Sequence, residues 1–250
     1  VRPILERDVP YVCTINEPNI VASFANLGQP EAPAAGLPAP DPVVADAVVA
    51  AHHRAVEIIR SWGGPQVGWA VATQCFQPEP GAEQEAAAYA YPRETRYLEE
   101  ARADDWLGVQ AYTRTRIGPD GPRPVPDDVE KTLTGWEFYP EAVGEGLRAA
   151  ATSAPGVPLL VTENGIAADD DTRRIAYLGG ALSAVHAAIE AGLDVRGYYV
   201  WSLLDNFEWM MGYRPTFGIV AVDRTTFART VKPSAGLIGR IARANELVPE

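Results

Sequence analysis

The stretch Leu159-Leu160-Val161-Thr162-Glu163-Asn164-Gly165 limits what this chain can fold into more than any other. Three aliphatic residues run straight into a polar turn, with Pro158 ahead of them and Gly165 behind. Such a run predicts a strand buried on both faces, as in a parallel sheet covered by helices. A carboxylate at the carboxyl end of such a strand sits at the mouth of an α/β fold. Catalytic groups of a (β/α)8 barrel collect there. Taken alone, the heptapeptide equally suits a helix cap or an ion-paired Glu. A second stretch of the same build, Val12-Cys13-Thr14-Ile15-Asn16-Glu17-Pro18, also ends in Asn and Glu and shifts the balance towards a site.

The rest of the chain alternates strand and helix. Val9 to Asn16, Gln66 to Thr73, Trp106 to Tyr112, Leu159 to Asn164 and Gly197 to Leu204 read as strands. Between them lie helices from Asp41 to Trp62, from Gly81 to Ala103 with a break near Pro92, from Tyr139 to Thr152 and from Thr172 to Ala191. A last helix runs from Pro233 to Leu247, and residues 1–8 read as helix-like. Leu27 to Pro42 is rich in Pro, Ala and Gly and reads as a surface loop. Repeated βα units imply a parallel sheet in one domain over residues 1–250.

Composition narrows the partners. A net charge of −12 disfavours nucleic acid and anionic membranes. No run of about 18 apolar residues is present, nor a signal peptide, so a cytoplasmic location is the expectation. Cys13 and Cys75 lie in apolar runs and are expected as buried free thiols. His52 and His53 point about 100° apart on a helix and cannot chelate one ion together. Asp169-Asp170-Asp171 lacks the alternating ligands of a calcium loop and reads as an acidic first helical turn. No metal and no cofactor is expected.

Glu17 and Glu163 are the candidates for paired-carboxylate chemistry. Cutting a glycosidic bond takes one carboxyl group to protonate the leaving oxygen and one to attack or to activate water. The first must stay neutral until used, and the second ionised. Asn16 is placed to hold a sugar hydroxyl, and Asn164 to cap the loop after Glu163. A third constellation, Tyr198 to Trp209, mixes aromatic rings with Asp205, Asn206 and Glu208 at a strand end. Sugars stack on such rings and bond such carboxylates, whereas an aromatic core would not be interrupted by them.

Three motifs, Thr14-Ile15-Asn16-Glu17-Pro18, Val161-Thr162-Glu163-Asn164-Gly165 and Trp201-Ser202-Leu203-Leu204-Asp205-Asn206-Phe207-Glu208-Trp209, resemble the signatures of glycoside hydrolase family 1 in that family's order. Ala51-His52-His53, Asp105-Trp106-Leu107-Gly108-Val109 and Lys232-Pro233-Ser234-Ala235 are lesser matches. The resemblance implies a (β/α)8 TIM barrel and retaining hydrolysis of β-glycosides. It implies Glu17 as acid/base and Glu163 as nucleophile, with carboxyl groups ~5–5.5 Å apart. It further assigns Asn16 to the 2-hydroxyl, Tyr112 to holding the nucleophile and Trp201 to stacking beneath the sugar. Glu208 would take the 4- and 6-hydroxyls, and Trp209 the 3-hydroxyl. A carboxylate at Glu208 repels a phosphate, so an unphosphorylated β-glucoside or related small carbohydrate is the expected substrate.

Two departures stand out. Gln110-Ala111-Tyr112 replaces the family's Asn-Tyr-Tyr, which extends the amide by a methylene and bears on leaving-group or aglycone preference. The family's first three βα units have no counterpart, and with them go a Gln, an Arg and a His-Trp pair of the sugar site. Five strands cannot close an eight-stranded barrel. The competing reading is a non-catalytic, sugar-binding or inactive remnant. Transglycosylation would use the same residues as hydrolysis.

Overall fold

The computed structural model describes residues 2–5, 7, 9–25 and 35–247. Along the chain run α1 (Arg2–Leu5), β1 (Tyr11–Asn16), α2 (Pro18–Phe24), α3 (Pro42–Trp62), β2 (Gln66–Thr73), β3 (Phe76–Pro78), α4 (Glu83–Ala90), α5 (Arg96–Glu100), β4 (Trp106–Ala111), β5 (Thr115–Gly118), β6 (Gly121–Pro122), α6 (Ala142–Ser153), β7 (Leu159–Asn164), α7 (Asp171–Glu190), β8 (Val195–Val200), β9 (Val220–Val222), β10 (Arg229–Val231) and α8 (Pro233–Ala244). Most of the expected loop Leu27 to Pro42, and part of the expected helix at residues 1–8, lie outside the described residues.

The frame is one parallel sheet in the order β1-β2-β4-β7-β8. These are the five strands the sequence predicts, and with their crossover helices they form part of a (β/α) barrel. The central strands β4 and β7 show why their sequences are nearly all apolar. Trp106 to Ala111 is buried at every position, and Leu159 to Val161 likewise. β1 and β8 are half exposed, because each has a partner on one side only.

The helices cover one face. In α3, Ala45, Val49, His52, Val56 and Ile59 recur every three or four residues and turn to the sheet. Asp41 caps this helix, accepting from the amides of Val43 and Val44 at 2.9 and 3.0 Å, with Pro42 in the first turn. α6 and α7 pack on each other, and Leu147, Tyr177 and Leu178 join Val109 and Val161 in the main core. The expected break near Pro92 is a π-helical turn over Tyr91–Thr95, where the proline ring removes a donor from the ladder. Among the described residues, no helix is long and apolar enough to cross a membrane.

Several expectations are refined. His52 is buried, stacks on Trp69 at 4.0 Å and bonds Thr14 through Nδ1 at 2.7 Å, while His53 pairs with Glu100 at 2.8 Å. Asp170 caps α7 by accepting from the amide of Thr172, and Asp171 reaches Arg174 and Ser234. Cys75 is buried as expected, but Cys13 is exposed. Its strand is the sheet's edge, a property that local apolar sequence does not reveal. The helix expected from Tyr139 starts only at Ala142, and the strand expected from Gly197 to Leu204 runs Val195–Val200. A small sheet in the order β3-β5-β6 and the hairpin β9–β10 were not foreseen.

Candidate active site

The carboxyl ends of the five parallel strands gather the sequence-predicted residues. Asn16 ends β1, Glu163 and Asn164 end β7, Gln110 is the penultimate residue of β4, and Tyr112 and Trp201 directly follow β4 and β8. Glu17 leaves β1 in the left-handed conformation (φ 48°, ψ 57°), with its amide bonded to the carbonyl of Ala70 at 2.8 Å. A non-glycine residue rarely holds that conformation unless the surroundings impose it. Here Pro18 starts α2 immediately afterwards and β2 holds the amide, so the backbone turns sharply where the carboxylate must face the sheet end.

Glu163 has a donor on each oxygen. The Tyr112 hydroxyl donates to Oε2 at 2.5 Å, and the Gln110 amide donates to Oε1 at 2.7 Å. The same Gln110 Nε2 donates to Asn16 Oδ1 at 2.8 Å. Tyr112 is itself fixed. Its carbonyl accepts from the Tyr177 hydroxyl at 2.7 Å, and its ring lies 5.6 Å from Trp136 and 5.9 Å from Phe217. The last two are aromatic neighbours of the site that the sequence reading missed. Each stands alone in an irregular loop, where no periodicity marks it.

Asn164 does not cap the loop after Glu163. Strand alternation turns it to the opposite face, where it is fully buried. Its Nδ2 donates to the carbonyl of Ala111 at 2.6 Å, and its Oδ1 accepts from the Tyr198 hydroxyl at 2.7 Å. It thereby ties β4, β7 and β8 together directly behind Glu163.

Trp201 donates its ring N–H to Glu208 Oε1 at 3.2 Å, which brings the third constellation onto the same strand ends. Trp209 stands apart, 79% exposed. The close approach of β8 to β7 depends on Gly165. A Cβ at this position would meet the Trp201 carbonyl oxygen at 1.8 Å. Gly165→Ala is therefore expected to lower stability by about 1–3 kcal/mol, as overpacking does. A thermal melt checks this, and a change in Trp201 fluorescence reports the displaced ring.

The three carboxylates act on one another. Burial pushes the Glu17 carboxyl up to about 8, and the negative charges of Glu163 and Glu208 push the same way. Burial also raises Glu163, opposed by the Tyr112 hydrogen bond and assisted by Glu208. Glu208 is raised by burial against its bond to Trp201. Two neighbouring carboxyls of unequal proton affinity can divide the work of acid and anion. Among the described residues, no cation contributes to any of these three shifts.

Behind the site, Glu137 is buried between two guanidinium groups. Arg114 donates to it at 2.5 and 3.1 Å, and Arg116 at 3.0 and 3.1 Å. This pairing anchors the loop that carries Trp136 and holds Glu137 below the usual carboxylate range despite burial.

Known proteins share both sequence and shape with this chain. It is 33% identical over 279 aligned residues to a β-galactosidase of Sulfolobus acidocaldarius, covering 95% of this chain and 55% of that protein. The crystal structure of a hyperthermophilic β-glucosidase from Pyrococcus furiosus superposes with a TM-score of 0.84 at 30% identity, covering 98% of this chain and 56% of that one. A β-glucosidase from Thermotoga maritima, solved in complex with noeuromycin, superposes with a TM-score of 0.80 at 28% identity, covering 94% and 64%. The chain thus spans about half to two thirds of the length of these relatives. The sequence pattern described as "Glycosyl hydrolase family 1" matches residues 110–247, more than half of the chain, and on that match the chain belongs to glycosyl hydrolase family 1.

Proposed function

We propose that this chain carries the catalytic carboxylates of a retaining β-glycoside hydrolase acting on unphosphorylated β-glucosides or related β-glycosides. The observation that carries the reading is the asymmetric pair at the strand ends. Glu17 holds its proton near neutral pH, whereas Glu163 receives a hydrogen bond on each oxygen. Glu17 protonates the glycosidic oxygen as the bond to the anomeric carbon breaks. Glu163 attacks that carbon from the opposite face and forms a glycosyl ester. Glu17, now ionised, takes a proton from water as that water attacks the anomeric carbon, and the Glu163 carboxylate departs, which restores both groups.

Asn16 and Glu208 bind sugar hydroxyls in this reading, Trp201 lies beneath the ring, and Tyr112 steadies Glu163. Trp209 joins the sugar site when a ligand or further chain covers its exposed ring. Support for a neutral sugar comes from Glu208, because its carboxylate, acting beside that of Glu163, repels a phosphate. We further propose that three βα units outside residues 1–250 close the barrel across the free edges of β1 and β8.

In the full-length protein, kcat/KM is expected to fall as pH rises through about 8, where Glu17 loses its proton. Glu17→Ala should remove that limb and spare substrates with very acidic leaving groups, while slowing poor leaving groups by about 10²–10⁴-fold. Equal losses on both substrate types would exclude Glu17 as the acid. Linkage gives a second readout. Glu17 binds its proton more tightly folded (about 8) than unfolded (4.5), so its contribution to stability is lost as pH rises through that window. Glu17→Gln should melt higher than the parent at pH 8 and no higher at pH 4.

A further inference from the structure

We propose that Gln110 is a positioning residue that locks Glu163 and Asn16 into one unit and sets which atoms of each face the ligand. The inference rests on the catalytic reading above, and it starts from one amide. Gln110 lies on β4 and is only 2% exposed. Its Nε2 meets two acceptors, Asn16 Oδ1 at 2.8 Å and Glu163 Oε1 at 2.7 Å. Those contacts join β1 to β7 across the two strands between them.

The chemistry fixes the orientation of both amides. Glu163 as a carboxylate can only accept, so the Gln110 group facing it must be the NH2. Both hydrogens of that NH2 are then used. Asn16 must present its oxygen to Gln110, which leaves the Asn16 NH2 free. Asn16 therefore offers donors to a ligand oxygen. Glu163 has its carboxylate plane set by Tyr112 on Oε2 and Gln110 on Oε1.

Gln110 Oε1 argues that the contacts of this side chain do not serve stability alone. The atom is buried and has no hydrogen-bond partner. A buried acceptor without a donor weakens a fold, and an aliphatic side chain of similar size would avoid the cost. The sequence departure at this position thus bears on the attacking carboxylate and its neighbour.

Gln110→Leu and Gln110→Asn in the full-length protein test this. Gln110→Leu should lower kcat/KM for an aryl β-glucoside by about 10–100-fold, the usual loss when a group that orients a reacting residue is removed. Its melting temperature should be equal to or above the parent's. Gln110→Asn, which keeps a shorter amide, should recover part of the rate. The acid limb of the pH profile should move up in Gln110→Leu, because Glu163 loses a donor. Tyr112, Glu17, Glu208 and Cys13 are the titratable groups coupled to Glu163 and are unchanged in the variant.

A titration of 13C-labelled Glu carboxyls reads the Glu163 midpoint without turnover. A raised midpoint in Gln110→Leu supports the lock even if the parent hydrolyses no glycoside, an outcome that would refute only the catalytic reading. An unchanged midpoint, or a loss of rate matched by a lower melting temperature, overturns the proposal.

Discussion

Glu163→Ala in the full-length protein is expected to abolish turnover of β-glycosides, by about 10⁴-fold or more, and azide is expected to restore it. The variant retains Glu17, so the leaving oxygen can still be protonated. What it lacks is the group that attacks the anomeric carbon, and water in the vacated space is a poor and badly placed substitute. Azide is small enough to occupy the space left by the carboxylate and is a strong nucleophile. It attacks from the face Glu163 used, so one inversion gives an α-glycosyl azide from a β-glycoside. Azide with Glu17→Ala should act later, on the glycosyl ester, and give the β-azide after two inversions. Product anomer by NMR thus separates the two roles with no assumption about rates. The same α-azide from both variants would mean that the roles are not divided as proposed.

The second large effect concerns the sheet edges. β1 and β8 each pair on one side only, so the outward backbone groups of both strands need water or another strand. Residues 1–250 alone are expected to associate or precipitate and to show little or no activity. Supplying three βα units from a relative, fused or co-expressed, should yield a monodisperse protein of higher melting temperature that hydrolyses an aryl β-glucoside. Each absent hydrogen-bonding partner of the transition state costs about 2.7–4 kcal/mol, so two such losses alone remove several decades of rate. Light scattering and a β-glucoside assay on both forms decide the matter. A monomeric 250-residue chain with a turnover typical of enzymes would sink the barrel-completion proposal.

How much of this could be read before the coordinates differs from element to element. The five parallel strands were legible because each is a mostly apolar run between helical patterns; Pro marks the start of β1, β2 and β7, and burial at nearly every position leaves β4 and β7 little alternative. The gathering of Asn16, Glu17, Tyr112 and Glu163 at one end was legible too, whereas Trp201 fell inside the expected strand Gly197 to Leu204 and stands at the end only because β8 stops at Val200. Once βα repeats imply a parallel sheet, residues at strand ends must share one edge.

Tertiary structure alone decided the rest. The exposure of Cys13 follows from which strand is the edge, and the apolar run around it carries no trace of that. Asn164 and Glu163 are neighbours in sequence, yet one braces the sheet and the other faces the site, since strand side chains alternate. Gln110 was visible as an unusual residue, but its meaning was not. Its amide acts between two residues 94 and 53 positions away, and such a three-body contact exists only when strands distant in the chain are laid side by side. The proton affinity of Glu17 is of the same kind. It arises from the water the fold excludes and from two other carboxylates the fold brings near, and a sequence fixes neither until it is folded.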